Sequence, residues 1–239
     1  MQYLDLTLPT AAENLALDEA LLEEAEAAAR PTETLRLWES PQPLVVVGRS
    51  SRVDAEVHLD ACRALGIPVL RRPSGGAAVV AGPGCLMYAL VLSYRLWSHL
   101  RLPSAAHRYL LDRLAAALAP LAPGVRCCGT SDLALGEWKF SGNSARCRRD
   151  HLLYHGTLLY DFPLPLIGRC LAMPPRMPDY RAGRPHDGFV TNLPLGAETI
   201  RQALLAAWEA RQRRDHWPQE LTARLVAEKY SQPEWNTGR

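Results

Sequence analysis

The amino-acid sequence predicts an α/β (α+β) fold, a mixed β-sheet flanked by helices, carried as one domain over residues 1–239. Three observations predict it. Hydrophobic residues make up 48% of the chain, enough for a buried core and too many for a disordered one. Strand and helix patterns interleave without the strict alternation of a doubly wound parallel sheet. Helical periods recur at both ends and in the middle, so helices are available to cover the sheet.

Thr10 followed by Glu13 reads as a capping box, and the helix it opens is expected from Ala11 to Ala29. Thr34 to Trp38 and Leu44 to Val47 read as strands joined by a proline-rich turn. Asp54 is expected to cap a helix that ends at Gly66, with Pro68 blocking its continuation. Val69 to Arg71 reads as a strand entering the loop Pro73-Ser74-Gly75-Gly76. Ala77 to Val80 and Leu86 to Ser93 read as strands joined at Gly82-Pro83-Gly84. Ser104 is expected to cap a helix carrying Leu110, Leu111, Leu114 and Leu118 on a 3.6-residue period. Strands follow around Val125, Leu133 and Trp138 and from Leu152 to Tyr160. Pro163 to Pro185 reads as irregular. Helices from Ala197 to Gln212 and from Pro218 to Tyr230 form a helical C-terminal segment over about 197–239, with no separate accessory domain expected.

Composition excludes several classes. A net charge of +2 is too small for a nucleic-acid binder. The longest apolar run, Leu86 to Leu92, falls far below the roughly 20 residues of a membrane span, and no signal peptide is legible. The six cysteines form no CxxC pair, so a reduced, cytoplasmic setting is expected. Lys139 and Lys229 are the only lysines among 27 basic residues. A lysine kept against that bias points to a site where guanidinium cannot replace it.

Three stretches carry chemistry. In Arg71-Arg72-Pro73-Ser74-Gly75-Gly76 the glycines let backbone approach a ligand closely, and Arg72 offers a fork of donors to an anion. A tight strand connection with solvated arginines explains the same residues. In Trp138-Lys139-Phe140-Ser141-Gly142 an alternating strand turns Lys139 away from both aromatics. Asp132, shortly before, is placed to bind magnesium or steady a donor. The bland alternative is an edge-strand lysine reaching into water. His151 and His155 share a strand face but lack a third metal ligand, and Gly156 marks a close approach.

The runs RRPSGGAAVVAGPGCLMYALVLS, GTSDL with WKFSGNSAR, and LLYHGTLLYD resemble, in matching order, the motifs of the lipoate–protein ligase A family. The resemblance runs from about Asn14 to Asn192. It implies the fold shared by lipoate ligases, biotin ligases and octanoyltransferases. It also implies activation of lipoate or octanoate with ATP and Mg2+ as an acyl-adenylate, then transfer to a lysine of a lipoyl carrier protein or domain. Lys139 matches the family's catalytic lysine. Arg72, Ser74, Gly75, Gly76, Ala77, Ala78, Val79, Val80, Gly142, His155 and Thr157 match substrate- and ATP-binding positions, and Asp132 a metal-facing one. The chain departs from the family pattern at Ala77, where a third glycine is usual, and at Ser131, where an asparagine is usual. Longer members carry a C-terminal accessory domain, so a separate accessory protein is a possible further partner. No nucleic acid and no membrane are expected as partners.

By this resemblance Lys139 and Arg72 offset charge at the reacting carboxylate and phosphate, and the strand Leu86 to Val91 lines an apolar slot for the acyl chain. Three rivals remain: an ATP-independent acyltransferase, for which Cys85, Cys147 and Cys170 are candidate thiols; a catalytically inactive carrier-binding protein; and a biotin ligase, which the linked motifs resemble less. No G-x-S-x-G or Walker-type loop occurs. Arg146, Arg148 and Arg149 form a possible docking patch for an acidic carrier.

Overall fold

Cys85–Ser93 and His151–Leu159 are buried along their whole length. Strands of that kind need cover on both faces, and they form the centre of the fold in the computed structural model, which describes residues 1–238. In chain order the elements begin β1 (Gln2–Asp5), α1 (Ala11–Ala27), β2 (Thr34–Trp38), β3 (Leu44–Val47), α2 (Val53–Glu56) and α3 (Leu59–Ala64). They continue β4 (Val69–Arg71), β5 (Val79–Ala81), β6 (Cys85–Ser93), α4 (Pro103–Leu118), β7 (Val125–Cys128), β8 (Asp132–Leu135), β9 (Trp138–Cys147) and β10 (His151–Leu159). The last are α5 (Pro165–Cys170), α6 (Ala197–Ala207), β11 (Gln212–Arg213), α7 (Gln219–Leu225) and α8 (Pro233–Thr237).

Eight strands make one mixed sheet, ordered β11-β1-β2-β6-β10-β9-β8-β7, and three make a second, β4-β3-β5. In the large sheet β1 runs parallel to β2 and β11, and the remaining pairs are antiparallel. Alternation along β6 sorts its side chains. Leu86, Tyr88, Leu90 and Leu92 meet Leu110, Leu114 and Leu204 from α4 and α6. On the other face Ala89 and Val91 lie under Leu17 and Leu21 of α1, while Cys85 and Met87 meet the small sheet. That face is therefore shared between a helix and a second sheet, and the candidate site lies where they meet.

The expected mixed sheet flanked by helices is the observed one, with local corrections. The capping box is present, with Glu13 N donating to Thr10 Oγ1 at 3.2 Å and Thr10 N to Glu13 Oε2 at 2.8 Å, but α1 ends at Ala27. Ser104 is not a cap, because Pro103 occupies the first helical turn and Leu102 the cap position. The helix expected from Asp54 to Gly66 is two pieces, broken where Val57 bridges to Leu171. Within the stretch expected to be irregular, Pro165–Cys170 is helical. The helix expected to reach Gln212 stops at Ala207, and Gln212–Arg213 pairs with β1 instead. Gln219–Leu225 continues into a wide π turn, Val226–Tyr230, and α8 follows unforeseen. Among the described residues no helix is long and apolar enough to cross a membrane.

Gly156 of β10 lies between Tyr88 of β6 and Asn143 of β9 in register. Tyr88 Oη donates to Asn143 Oδ1 at 2.5 Å across the bare glycine, and a Cβ there would run into Asn143 Oδ1. Alanine normally favours a strand over glycine; here it overpacks a buried polar bridge. Gly156→Ala should therefore destabilise the fold by about 1–3 kcal/mol in chemical denaturation, and an unchanged midpoint would show that the bridge can yield.

Candidate active site

Strand alternation on β9 places Phe140 in the core and leaves Trp138 partly exposed, so Lys139 points the other way, into a cleft. Its backbone is held by the returning chain: Lys139 N donates to Phe189 O at 2.9 Å and Thr191 N to Lys139 O at 2.8 Å. A register shift between Leu133 and Ala134 sets Asp132 opposite Gly142, and Lys139 Nζ meets Asp132 Oδ1 at 2.7 Å. Tyr180 Oη donates to the other oxygen, Oδ2, at 2.8 Å. Burial, then the charge of Asp132, pushes the Tyr180 phenol well above its usual range, so it remains a donor.

Arg72 is buried, and its guanidinium is spent on the chain itself. It donates to Val46 O at 3.0 Å, Gly75 O at 2.5 Å, Ala77 O at 2.9 Å and Ser74 Oγ at 3.2 Å. Burial lowers its pKa to about 10, opposed by the charge of Glu56. Arg72 borders the cleft, yet it acts as the frame of the turn. Gly76, at φ +87°, takes the left-handed conformation that favours glycine. Ser74 Oγ lies 2.5 Å from His155 Nε2, and His155 Nδ1 lies 3.7 Å from Asp18 Oδ2. His155 thus bridges the Ser74 hydroxyl and the Asp18 carboxylate through its two ring nitrogens, while Arg72 donates to the same hydroxyl. Asp18 in turn pairs with the buried Arg36 at 2.6 Å. Ser74 is only 1% exposed and borders neither cavity, so this chain is a brace for the turn.

A cleft of about 400 Å³ runs from Leu15, Val46 and Met87 at its apolar end to Thr130, Ser131 and Asp132. A narrower recess of about 110 Å³ is lined by Glu56, Val80, Ile167, Leu171 and Phe189. Ala77, Ala78, Val79, Lys139, Gly142 and Thr157 border both. Thr157 Oγ1 accepts from Gly142 N at 3.4 Å. The structure thus gathers Lys139, Asp132, Arg72, Gly76, Ala77 to Val80, Gly142, His155 and Thr157, and leaves Ser74 and Gly75 outside the lining. Ala78 N is committed to Glu56 Oε2 at 2.7 Å, so backbone donation to an anion falls to its neighbours in the turn.

Other expectations change. Of Leu86 to Val91, Met87 alone borders the cleft, because the rest face the helices on either side. None of the cysteines lines either cavity. Burial holds the Cys85 thiol up to about 12 and Cys62 to about 11. Among the described residues Asp132 is the only carboxylate on the larger cleft, and no group of three metal-ligating side chains occurs. A single carboxylate fits magnesium only where phosphate oxygens and water complete the shell. His151 faces Glu26 at 3.2 Å while His155 faces Ser74, so the two histidines do not converge on a metal. Arg148 pairs with Glu23 and Arg149 with Asp150, which neutralises most of the supposed docking patch. Sequence reasoning missed Asp18, Arg36, Glu56 and Tyr180. Asn14 and Asp18, four residues apart on the buried face of an apolar helix, were the available signal.

The chain belongs to the lipoyl protein ligase A/B catalytic domain family, whose model matches residues 10–207. It is 36% identical over 146 residues to a putative lipoate-protein ligase A of Aeropyrum pernix, a match covering 61% of this chain and 52% of that protein. It is 26% identical over 272 residues to octanoyltransferase LipM of Carboxydothermus hydrogenoformans, covering 98% and 97%. A putative lipoate protein ligase from Thermoplasma acidophilum with bound lipoic acid shares the fold at a TM-score of 0.84 and 22% identity, covering 100% and 99%. The protein is therefore an enzyme of the lipoate ligase and octanoyltransferase family.

The thiol environments give a direct check. Cys147 is exposed whereas Cys62, Cys85 and Cys170 are buried. Iodoacetamide at pH 8 should alkylate Cys147 first and reach Cys85 only on unfolding, as read by peptide mass spectrometry. Rapid labelling of Cys85 in the folded protein would mean that it opens to the cleft.

Proposed function

We propose that this chain is an ATP-dependent lipoate–protein ligase that joins lipoate or octanoate to AMP and passes the acyl group to a lysine of a lipoyl carrier domain. One observation carries the reading: Lys139 stands on the wall shared by two recesses, and no thiol borders either. Two adjoining spaces suit two substrates whose reacting ends meet at one ammonium. A transferase working through a cysteinyl thioester needs a thiol at that meeting point.

In the first step a carboxylate oxygen attacks the α-phosphorus and pyrophosphate leaves. Both partners are anionic, so the barrier is largely electrostatic. Lys139, already set toward the cleft by Asp132, would exchange that contact for the carboxylate and α-phosphate oxygens. The framed turn holds the nucleotide side, since Arg72 fixes the carbonyls of Gly75 and Ala77 inward. Asp132 would hold Mg2+ together with phosphate oxygens, and the ion would offset phosphate charge. In the second step the carrier amine attacks the acyl carbonyl and AMP departs. Lys139 then faces the developing oxyanion.

The competing reading, ATP-independent transfer of octanoyl from a thioester donor, is favoured by the full-length similarity to LipM. The two part cleanly. The purified chain is mixed with an apo lipoyl domain and given either free acid with ATP and Mg2+ or an octanoyl-thioester, and the domain is weighed by mass spectrometry. Mass gained from free acid with ATP supports the ligase. Mass gained only from the thioester overturns it.

Lys139→Arg keeps the charge but replaces a compact ammonium with a planar fork. Adenylate formation should fall on the order of 100- to 1000-fold, with circular dichroism unchanged. Near-normal adenylation in the folded variant would make Lys139 a structural residue. Single alanine substitutions at Cys85, Cys147 and Cys170 should leave transfer from preformed lipoyl-adenylate intact; loss in any one, with folding preserved, would restore the thioester route.

A further inference from the structure

The strand β4 lies at an edge of the small sheet, paired with β3 on one side. Its other edge is covered by two side chains. Arg71 N donates to Asn236 Oδ1 at 3.0 Å, and Trp235 Nε1 donates to Arg71 O at 2.9 Å. Together they satisfy the backbone as a neighbouring strand would. Arg71 Nε returns a bond to Trp235 O at 2.8 Å, while its Nη1 reaches Gly48 O at 2.6 Å and Ser51 O at 2.9 Å. The next residue is Arg72, where the turn bordering the cleft begins.

The same segment is anchored at its other end on α1. Lys229 Nζ meets both oxygens of the buried Glu19, at 2.8 Å and 2.7 Å, and Tyr230 Oη donates to Glu19 Oε2 at 2.6 Å. Asn236 Nδ2 donates to Tyr230 O at 2.8 Å, and the Lys229 ammonium lies 4.2 Å from the Trp235 ring centroid. Glu19 adjoins Asp18, which braces His155 and through it Ser74, and Leu15 one turn earlier borders the cleft. Residues 229–236 therefore tie together the two elements that carry opposite ends of the glycine turn's support.

We infer that Trp235 and Asn236 are positioning residues: they fix β4 at Arg71 and so hold the Arg72–Gly76 turn in the shape that accepts acid and nucleotide. The inference rests on the site of the proposed function but needs neither ATP nor an acceptor to be tested. In the full chain, Asn236→Leu removes the acceptor for Arg71 N–H, and Trp235→Phe removes only the indole N–H. Amide hydrogen exchange is followed across residues 72–78 and, as an internal control, across β6 and β10. Asn236→Leu should speed exchange at 72–78 about tenfold, the consequence of losing one or two ordinary hydrogen bonds. Trp235→Phe should do so to a lesser degree, with β6 and β10 unchanged in both. Lipoate affinity by calorimetry should fall about tenfold in parallel. If Asn236→Leu does not fold, Trp235→Phe carries the test alone. Exchange at 72–78 that stays at the wild-type rate, or that rises equally everywhere, would reduce the segment to a general stabiliser and overturn the inference. A wild-type chain that binds no lipoate would instead count against the proposed function and leave the exchange result standing.

Discussion

An ammonium held at the junction of two recesses by one carboxylate is the constraint on which this site depends. Lys139 is 27% exposed at its side chain and Asp132 only 8%. A lone charge in such a place would be costly, and a fully neutralised one would have little attraction left for a substrate. The arrangement lies between these limits. Asp132 offers one oxygen to Lys139 and the other to Tyr180, so the carboxylate is held in place without a second cation. In the proposed reaction an incoming carboxylate or phosphate would displace Asp132 from Lys139 while Tyr180 keeps Asp132 where it is. The chain segment that carries Tyr180 also supplies both backbone bonds that hold Lys139. One stretch, from Tyr180 to Thr191, therefore fixes both the lysine and its counter-charge.

Arginine performs the opposite task. Arg36, Arg71 and Arg72 are among the buried residues, and each spends its guanidinium largely on backbone oxygens. A planar group with five donors can close several carbonyls at once, which an ammonium cannot. The chain's bias toward arginine thus serves its architecture as well as its surface. Lys229, the second lysine, is consistent with this division: it sits on a single buried carboxylate and an aromatic face. The scarcity of lysine marked both positions as special, but only the fold separates the one that lines the cleft from the one that anchors the C-terminal segment.

Much of both sheets was legible. Continuous apolar runs and turn residues located β2, β3 and β4 with their observed limits, and most of β6 and β10. Breaks were less legible where tertiary contact decides them, as at Val57, which leaves a helix to bridge Leu171. The short strand Gln212–Arg213 exists because β1 offers it an edge, and nothing in its own pattern announces it. At the site, the resemblance supplied the residues and the alternation of β9 supplied the orientation of Lys139. The role of Arg72 was not legible, since a donor fork in a glycine loop looks alike whether it faces an anion or its own carbonyls. Asp18 and Glu56 lie outside the quoted motifs, Tyr180 lies within a segment where no single residue stood out, and all three join the site only through packing.

The central claim is that the acid itself attacks the α-phosphate beside Lys139. It is tested most directly with lipoate labelled with heavy oxygen in its carboxyl group, given to the chain with ATP and Mg2+, and with hydroxylamine as acceptor so that no carrier need be known. Attack by the carboxylate leaves its oxygen bridging acyl and phosphorus, and aminolysis at the carbonyl then releases that oxygen with AMP. The account predicts AMP carrying one heavy oxygen, in step with hydroxamate formed. Hydroxamate formed from a thioester donor, with no labelled AMP from free acid and ATP, would contradict it.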